Sequence, residues 1–200
     1  MNHLIIIDPG HGGIDPNTGQ YVTKGKRSPE WDDMPQLFEG VYNREIADLL
    51  GAKLDKVGID YKYTVCPDEY YDMPLRNRTD IANAIHRETP VTLFLSIHGN
   101  GFKNPDANGL ETFCHARPSA NSVRYNEIIY KHLKKMLPYK GRGTKQADFH
   151  VLRETVMPAV LVELGFMTNY DDCKIMNSPG GKELAAEGLF RAIKEICLID

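Results

Sequence analysis

No stretch of this 200-residue sequence approaches the roughly 20 consecutive apolar residues that a membrane span requires. Charge of a single sign is missing too. Twenty-four basic and 27 acidic residues leave a net charge of -3, which gives nucleic acid or an anionic membrane no strong field to answer to. Cysteine is scarce: Cys66, Cys114, Cys173 and Cys197 lie far apart with no CxxC pair, so reduced core residues are expected rather than disulfides or metal ligands. Met1-Asn2-His3 contains neither a basic region nor an apolar leader, which predicts a chain without a secretion signal. Repeats, low-complexity tracts and linkers are absent as well. With 42% hydrophobic residues, positions 1–200 are expected to form one domain with a proper core.

What is present is organised around Leu4-Ile5-Ile6-Ile7-Asp8-Pro9-Gly10-His11-Gly12-Gly13. The β-branched run reads as a strand buried on both faces. Pro9 cannot donate to a sheet ladder and the glycines permit a tight turn, so His11 falls on a short loop past the strand's carboxyl end. Two further runs repeat the pattern. Val91 to Ile97 stops at His98, and Ala159 to Val162 stops at Glu163. As parallel neighbours, these strands would carry both histidines and the glutamate to one sheet edge, where ligands gather in open α/β sheets.

The remaining elements follow from periodicity. Helices are predicted over 36–57, 75–87, 119–137, 168–177 and 183–196, the first with Glu39 in its opening turn. Strands are predicted over 59–65, 110–114 (direction open) and 149–152. The β-α-β-α-β order implies an α/β fold: a mostly parallel, twisted, six-stranded sheet with helices on both faces. The polar segment from Ile14 to Met34 is long for a loop. It is either a surface excursion or a flap whose Trp31 or Tyr21 touches substrate. The basic run from Lys131 to Lys145 is most simply a solvated helix face, an anionic wall polymer being the alternative.

His11, Glu39 and His98 amount to two imidazoles and a carboxylate. That set suits a catalytic zinc with an open fourth position, although it also suits manganese or iron. Each residue alone has a plainer explanation: a structural histidine, or a carboxylate at the positive end of a helix. Glu163 is harder to dismiss, because burying a carboxylate costs several kcal/mol unless it is paired or metal-bound. It could take a proton from the attacking water and return it to the leaving group. His150 is the rival metal ligand, and His115 could also stand near the site.

These residues carry a family resemblance. Ile7-Asp8-Pro9-Gly10-His11-Gly12-Gly13, Glu39 with Asn43 and Ala47, Arg78, Ser96-Ile97-His98-Gly99-Asn100, Gly109 with Glu111, Phe149 to Arg153, and Pro158 to Asn169 resemble, in order, the zinc-dependent N-acetylmuramoyl-L-alanine amidases of the amidase 3 family. The resemblance implies zinc held by His11, Glu39 and His98, with Glu163 as the catalytic glutamate. It implies cleavage of the amide between N-acetylmuramic acid and L-alanine in peptidoglycan. Gly99 and Leu164 depart from the usual pattern at positions expected to line the site. Without a leader, the expected protein is a phage or prophage lysin, cytoplasmic until released to the wall, with a host enzyme lacking its leader close behind. It is expected to be a monomer with no nucleic-acid or membrane partner. A zinc peptidase or deacetylase acting on another peptidoglycan bond, and a non-catalytic wall-binding module, are the alternatives.

Overall fold

The computed structural model describes residues 3–199, so Met1 and Asn2, on which part of the amino-terminal expectation rests, lie outside it. The first strand, β1 (Leu4–Pro9), is buried at every position, as its unbroken apolar run requires of a strand between two layers. It is followed by α1 (Glu39–Asp55), β2 (Asp60–Tyr63), α2 (Leu75–Glu88), β3 (Leu93–Asn100) and β4 (Leu110–His115). Then come α3 (Ala120–Met136), β5 (Gly141–Ala147), α4 (His150–Arg153), β6 (Ala159–Phe166), α5 (Tyr170–Asn177) and α6 (Pro179–Ile199).

The six strands form one sheet in the order β2-β1-β3-β6-β4-β5. All pairs are parallel except β4 with β6. The direction left open for Leu110–Cys114 is thus antiparallel to β6 and parallel to β5. β3 and β6 continue past the end of their apolar runs, so His98 and Glu163 stand within strands and pair directly in register.

The two faces of the sheet are covered unequally. Ile5, Ile7, Leu95, Ile97, Val160, Val162 and Leu164 pack under a thick layer with Ile46 and Leu50 of α1, Leu133 of α3 and Ile193 of α6. Leu4, Ile6, Phe94 and Leu161 face the other way, against a thinner layer with Ala82 and Ile85 of α2, Val151 and Leu152 of α4, and Met157. Side chains alternate along a strand, so His98 shares this thinly covered face with Phe94, and Glu163 shares it with Leu161. The carboxyl ends of the strands are therefore left open on the face that bears both residues.

Two sequence expectations fail. Phe149–Leu152 is not a strand: His150–Arg153 form a single helical turn that buries Val151 and Leu152. The strand lies earlier, at Gly141–Ala147, within the run expected to be a solvated basic face. Its residues are polar and alternate between half-buried and exposed, because an edge strand over a partly open face has little apolar surface to hide. Periodicity in apolar residues could not reveal it.

α1 starts hard against the loop after β1. A Cβ on Gly40 would stand 1.9 Å from the Gly12 carbonyl oxygen. Gly40→Ala is expected to push helix and loop apart at a cost of about 2–3 kcal/mol, read as a lowered urea midpoint with an unchanged m-value.

Candidate active site

The loop carrying His11 is held at nearly every backbone polar group. The Gly10 N–H donates to the Ile97 carbonyl (3.0 Å), and Asn43 Nδ2 donates to the Gly10 carbonyl (3.1 Å). The Gly12 N–H donates to Thr23 Oγ1 (2.8 Å). His11 itself adopts φ 63°, and among the described residues it is the sole non-glycine with positive φ. That conformation costs an L-residue of order 1–3 kcal/mol unless its surroundings enforce it. Here they do, because two guanidiniums hold the His11 carbonyl: Arg44 Nη1 at 2.7 Å and Arg78 Nη2 at 3.2 Å.

Arg78 is anchored below the loop. Its Nη1 donates to Asp8 Oδ1 and to the Pro9 carbonyl, both at 2.7 Å, and its Nε donates to the Met73 carbonyl at 2.9 Å. Thr64 and Ser96 hydroxyls complete the shell of Asp8 at 2.6 and 2.7 Å. Burial pushes the Asp8 carboxyl up, but Arg78 and the two hydroxyls outweigh it, leaving Asp8 below its ordinary pKa. Gly10 is required for a different reason: any Cβ there would stand 2.2 Å from the His98 ring.

Glu39 opens α1 with its side chain only 1% exposed. Its backbone N–H donates to the Lys26 carbonyl, and the next N–H, of Gly40, donates to the Tyr21 hydroxyl. These contacts aim the carboxylate at the two histidines. Glu39 Oε1 is 3.1 Å from His11 Nε2 and 3.1 Å from His98 Nδ1, and the imidazole rings stand edge to face at 5.1 Å. One nitrogen from each ring and one carboxylate oxygen lie within 4.8 Å of one another. His11 Nε2 and Glu39 Oε2 are sealed from solvent without a hydrogen-bond partner, as is Glu163 Oε2. Unpartnered buried acceptors converging in this way fit a divalent cation of the zinc type.

The same groups shift one another's titration. Burial raises the Glu39 carboxyl, but both histidines more than offset it and hold the acid well below its usual range. Burial lowers His11, while for His98 burial is outweighed by Glu39, leaving that imidazole raised. For Glu163 burial dominates, His98 and Lys26 offsetting it only in part, and its carboxyl is pushed up to about 8. Glu111, its antiparallel partner in register, differs. There burial is outweighed by Lys145 and Arg142, which donate to Oε2 at 2.5 and 2.6 Å. Two neighbouring carboxyls are thereby driven in opposite directions.

These groups open into a cavity of about 560 Å³ lined by His11, His98, Glu163, Lys26, Phe149 and His150, among others. His150 is outside the three-residue cluster, and its Nε2 is sealed without a partner. His115 pairs with Asp148 instead. The segment from Ile14 to Met34 does reach the cavity, but through Lys26. Trp31 packs on Tyr170, and Tyr21 stacks on Phe38. Neither Gly99 nor Leu164 lines the cavity: Leu164 lies in the core, and a Cβ at Gly99 would face Met176, although it would also stand 3.7 Å from Glu39 Cγ. Of the cysteines, Cys66 is exposed rather than a core residue. The clasp of Arg44 on His11 carries no periodicity or motif and was beyond sequence reasoning.

Comparison with known proteins bears directly on this arrangement. The family model described as N-acetylmuramoyl-L-alanine amidase (amidase 3) matches residues 5–195. The chain belongs to this family. Within it, the chain is 33% identical to the N-acetylmuramoyl-L-alanine amidase LytC of Bacillus subtilis, over 94% of this chain but 34% of LytC. It is 31% identical to the endolysin of Bacillus phage SPP1, over 98% of this chain and 66% of the endolysin. The chain thus spans about a third to two thirds of the length of these relatives. The crystal structure of an N-acetylmuramoyl-L-alanine amidase from Clostridium difficile 630 superposes with a TM-score of 0.82 at 28% identity, covering 98% of each chain.

The Asp8–Arg78 pair makes a prediction about pH. An acid whose folded pKa is depressed contributes stability above its unfolded value, near 3.8, and loses it as pH falls toward the folded value. Urea unfolding of the wild-type chain should show stability falling below about pH 4. Asp8→Asn should flatten that acid limb and cost about 3–5 kcal/mol at pH 7, because Arg78 is left buried without its counter-ion.

Proposed function

We propose that this chain hydrolyses the amide between the lactyl group of N-acetylmuramic acid and L-alanine in peptidoglycan. His11, Glu39 and His98 hold a zinc ion, and Glu163 is the catalytic acid–base. The observation that carries this is Glu163 itself: a half-buried side chain in register beside His98, lining the cavity, with Oε2 sealed from solvent and without a hydrogen-bond partner. A protein that merely bound the wall would have no use for such a group. When bound, zinc supplies Lewis acidity toward the amide carbonyl and makes water a better nucleophile at neutral pH.

The residues of the chain do the rest. Glu163 accepts the proton of the attacking water and delivers it to the departing alanine nitrogen, splitting an acyl C–N bond into a carboxylate and an amine. A carboxyl that burial raises is a better proton acceptor than an exposed one and can return the proton it takes. The clasp on His11 fixes one donor while the rigid helix start fixes Glu39, so the donor set is preorganised. The similarity to a phage endolysin across nearly the whole chain supports a phage or prophage lysin released to the wall, with a host wall enzyme as the second reading, since the identity to LytC of Bacillus subtilis is 33%. No helix of the described residues is long and apolar enough to cross a membrane.

Digestion of purified sacculi tests the bond that opens. New amino termini on L-alanine without new reducing sugar ends are expected; free reducing ends with intact amides would overturn the assignment. A chelator should abolish turnover and added zinc should restore it. Glu163→Gln should lower kcat by about 10²–10⁴-fold while zinc content, read by elemental analysis, stays at the wild-type level. Undiminished turnover in that variant would remove Glu163 from its role.

A further inference from the structure

The site cavity has a neighbour. A second hollow of about 480 Å³ is lined by Gly25, Lys26, Arg27, Gly101, Phe102, Lys103, Met167 and Thr168, and it shares Lys26 with the first. Three cations line this second hollow and no carboxylate does. Lys26 has a partner in Glu39, 3.7 Å away, whereas no carboxylate lies within 4.0 Å of Arg27 or Lys103 among the described residues. Phe102 is 61% exposed, yet its loop is tied down: its N–H donates to Thr168 Oγ1 (3.0 Å), and the Met167 N–H donates to the Asn100 carbonyl (2.8 Å). On the other side, the backbone pairing of Arg27 with Phe38 fixes where Lys26 and Arg27 project.

The first cavity also has an apolar part to its lining. There Met73, Pro74, Leu75 and Phe149 form the lining, with Leu75 54% and Phe149 39% exposed. The cavity that holds both histidines thus has an apolar part to its lining, and the hollow that shares Lys26 with it is cationic.

Resting on the amidase reading, we propose that the Lys26–Arg27–Lys103 hollow is the subsite for the carboxylates of the stem peptide, and that the glycan lies over Leu75 and Phe149. The substrate's own charge distribution supplies the reason. The lactyl carboxyl of muramic acid is consumed in the amide that is cut, so the glycan side of that bond is uncharged. The free carboxylates of a stem peptide all lie on the alanine side. An uncharged sugar face packs well on exposed apolar and aromatic side chains, whereas a flexible anionic peptide gains from cations such as Arg27 and Lys103 that have no carboxylate partner among the described residues. The cleft therefore sets the direction in which the wall polymer crosses the site.

Two synthetic substrates test this: a muramoyl tetrapeptide with free carboxyls, and the same compound with those carboxyls as primary amides. The wild-type chain should show a kcat/KM about 5–10-fold higher for the free acid at low salt, the difference residing in KM and shrinking as salt rises. In the Arg27→Gln/Lys103→Gln double variant that ratio should fall to near one. A wild-type ratio near one, or a ratio unchanged in the double variant, overturns the subsite. A charge effect seen only with intact sacculi would point to wall phosphate polymers and overturn it as well. Cleavage of neither compound by the wild-type chain, by contrast, would remove the amidase reading and the orientation with it.

Discussion

A buried ion pair between Asp8 and Arg78 underlies the geometry of the whole site. Asp8 accepts from Thr64, Ser96 and Arg78, and Arg78 reaches past it to three backbone carbonyls, including that of His11. The pair is costly to bury and gains little as a stabilising contact in its own right. What it supplies is position. With Arg44, it enforces a left-handed backbone at a histidine, in a chain where every other described residue with positive φ is glycine. The energy spent on desolvation reappears as a donor held where free rotation would not leave it.

The second constraint is the asymmetry of the two layers. Three long helices cover one face of the sheet, and a helix with a single extra turn covers the other. Alternation along β3 and β6 then does the sorting. His98 and Glu163 fall on the thin side, with open space at the carboxyl end, while Ile97 and Val162 fall on the thick side. A one-residue slip in either strand would bury a leucine or valine in the cavity and drive a histidine or glutamate into the core.

Much of this was legible in the sequence. Apolar runs that end abruptly marked β1, β3 and β6 and the side chains at their ends, because strands buried on both faces have no polar positions to blur the pattern. The six-stranded, mostly parallel sheet followed from the alternation of strands and helices. β5 was not legible: Gly141 to Ala147 has no apolar period, its partner being a strand edge rather than a core. Phe149 to Leu152 misled for the converse reason, since a short apolar run serves a helical turn as well as a strand. The site's supporting contacts were harder still. Arg44 donates only to backbone carbonyls, and nothing in the identity of a residue announces that its carbonyl will be grasped. The departures at Gly99 and Leu164 looked like features of the site because they adjoin it in sequence, but adjacent positions on a strand face opposite ways.

The sheet order has a consequence for how the protein is made. β3 and β4 follow one another along the chain but are not neighbours in space; β6 sits between them and is the last strand to be synthesised. Until it arrives, a nascent chain carries two unsatisfied strand edges and a split core, the kind of surface on which misassembly begins. The same late insertion completes the sheet and delivers Glu163. A ribosome-bound or prematurely terminated product would thus own both histidines and Glu39 and still lack the carboxyl beside them, so the cluster is complete only with the final third of the polypeptide.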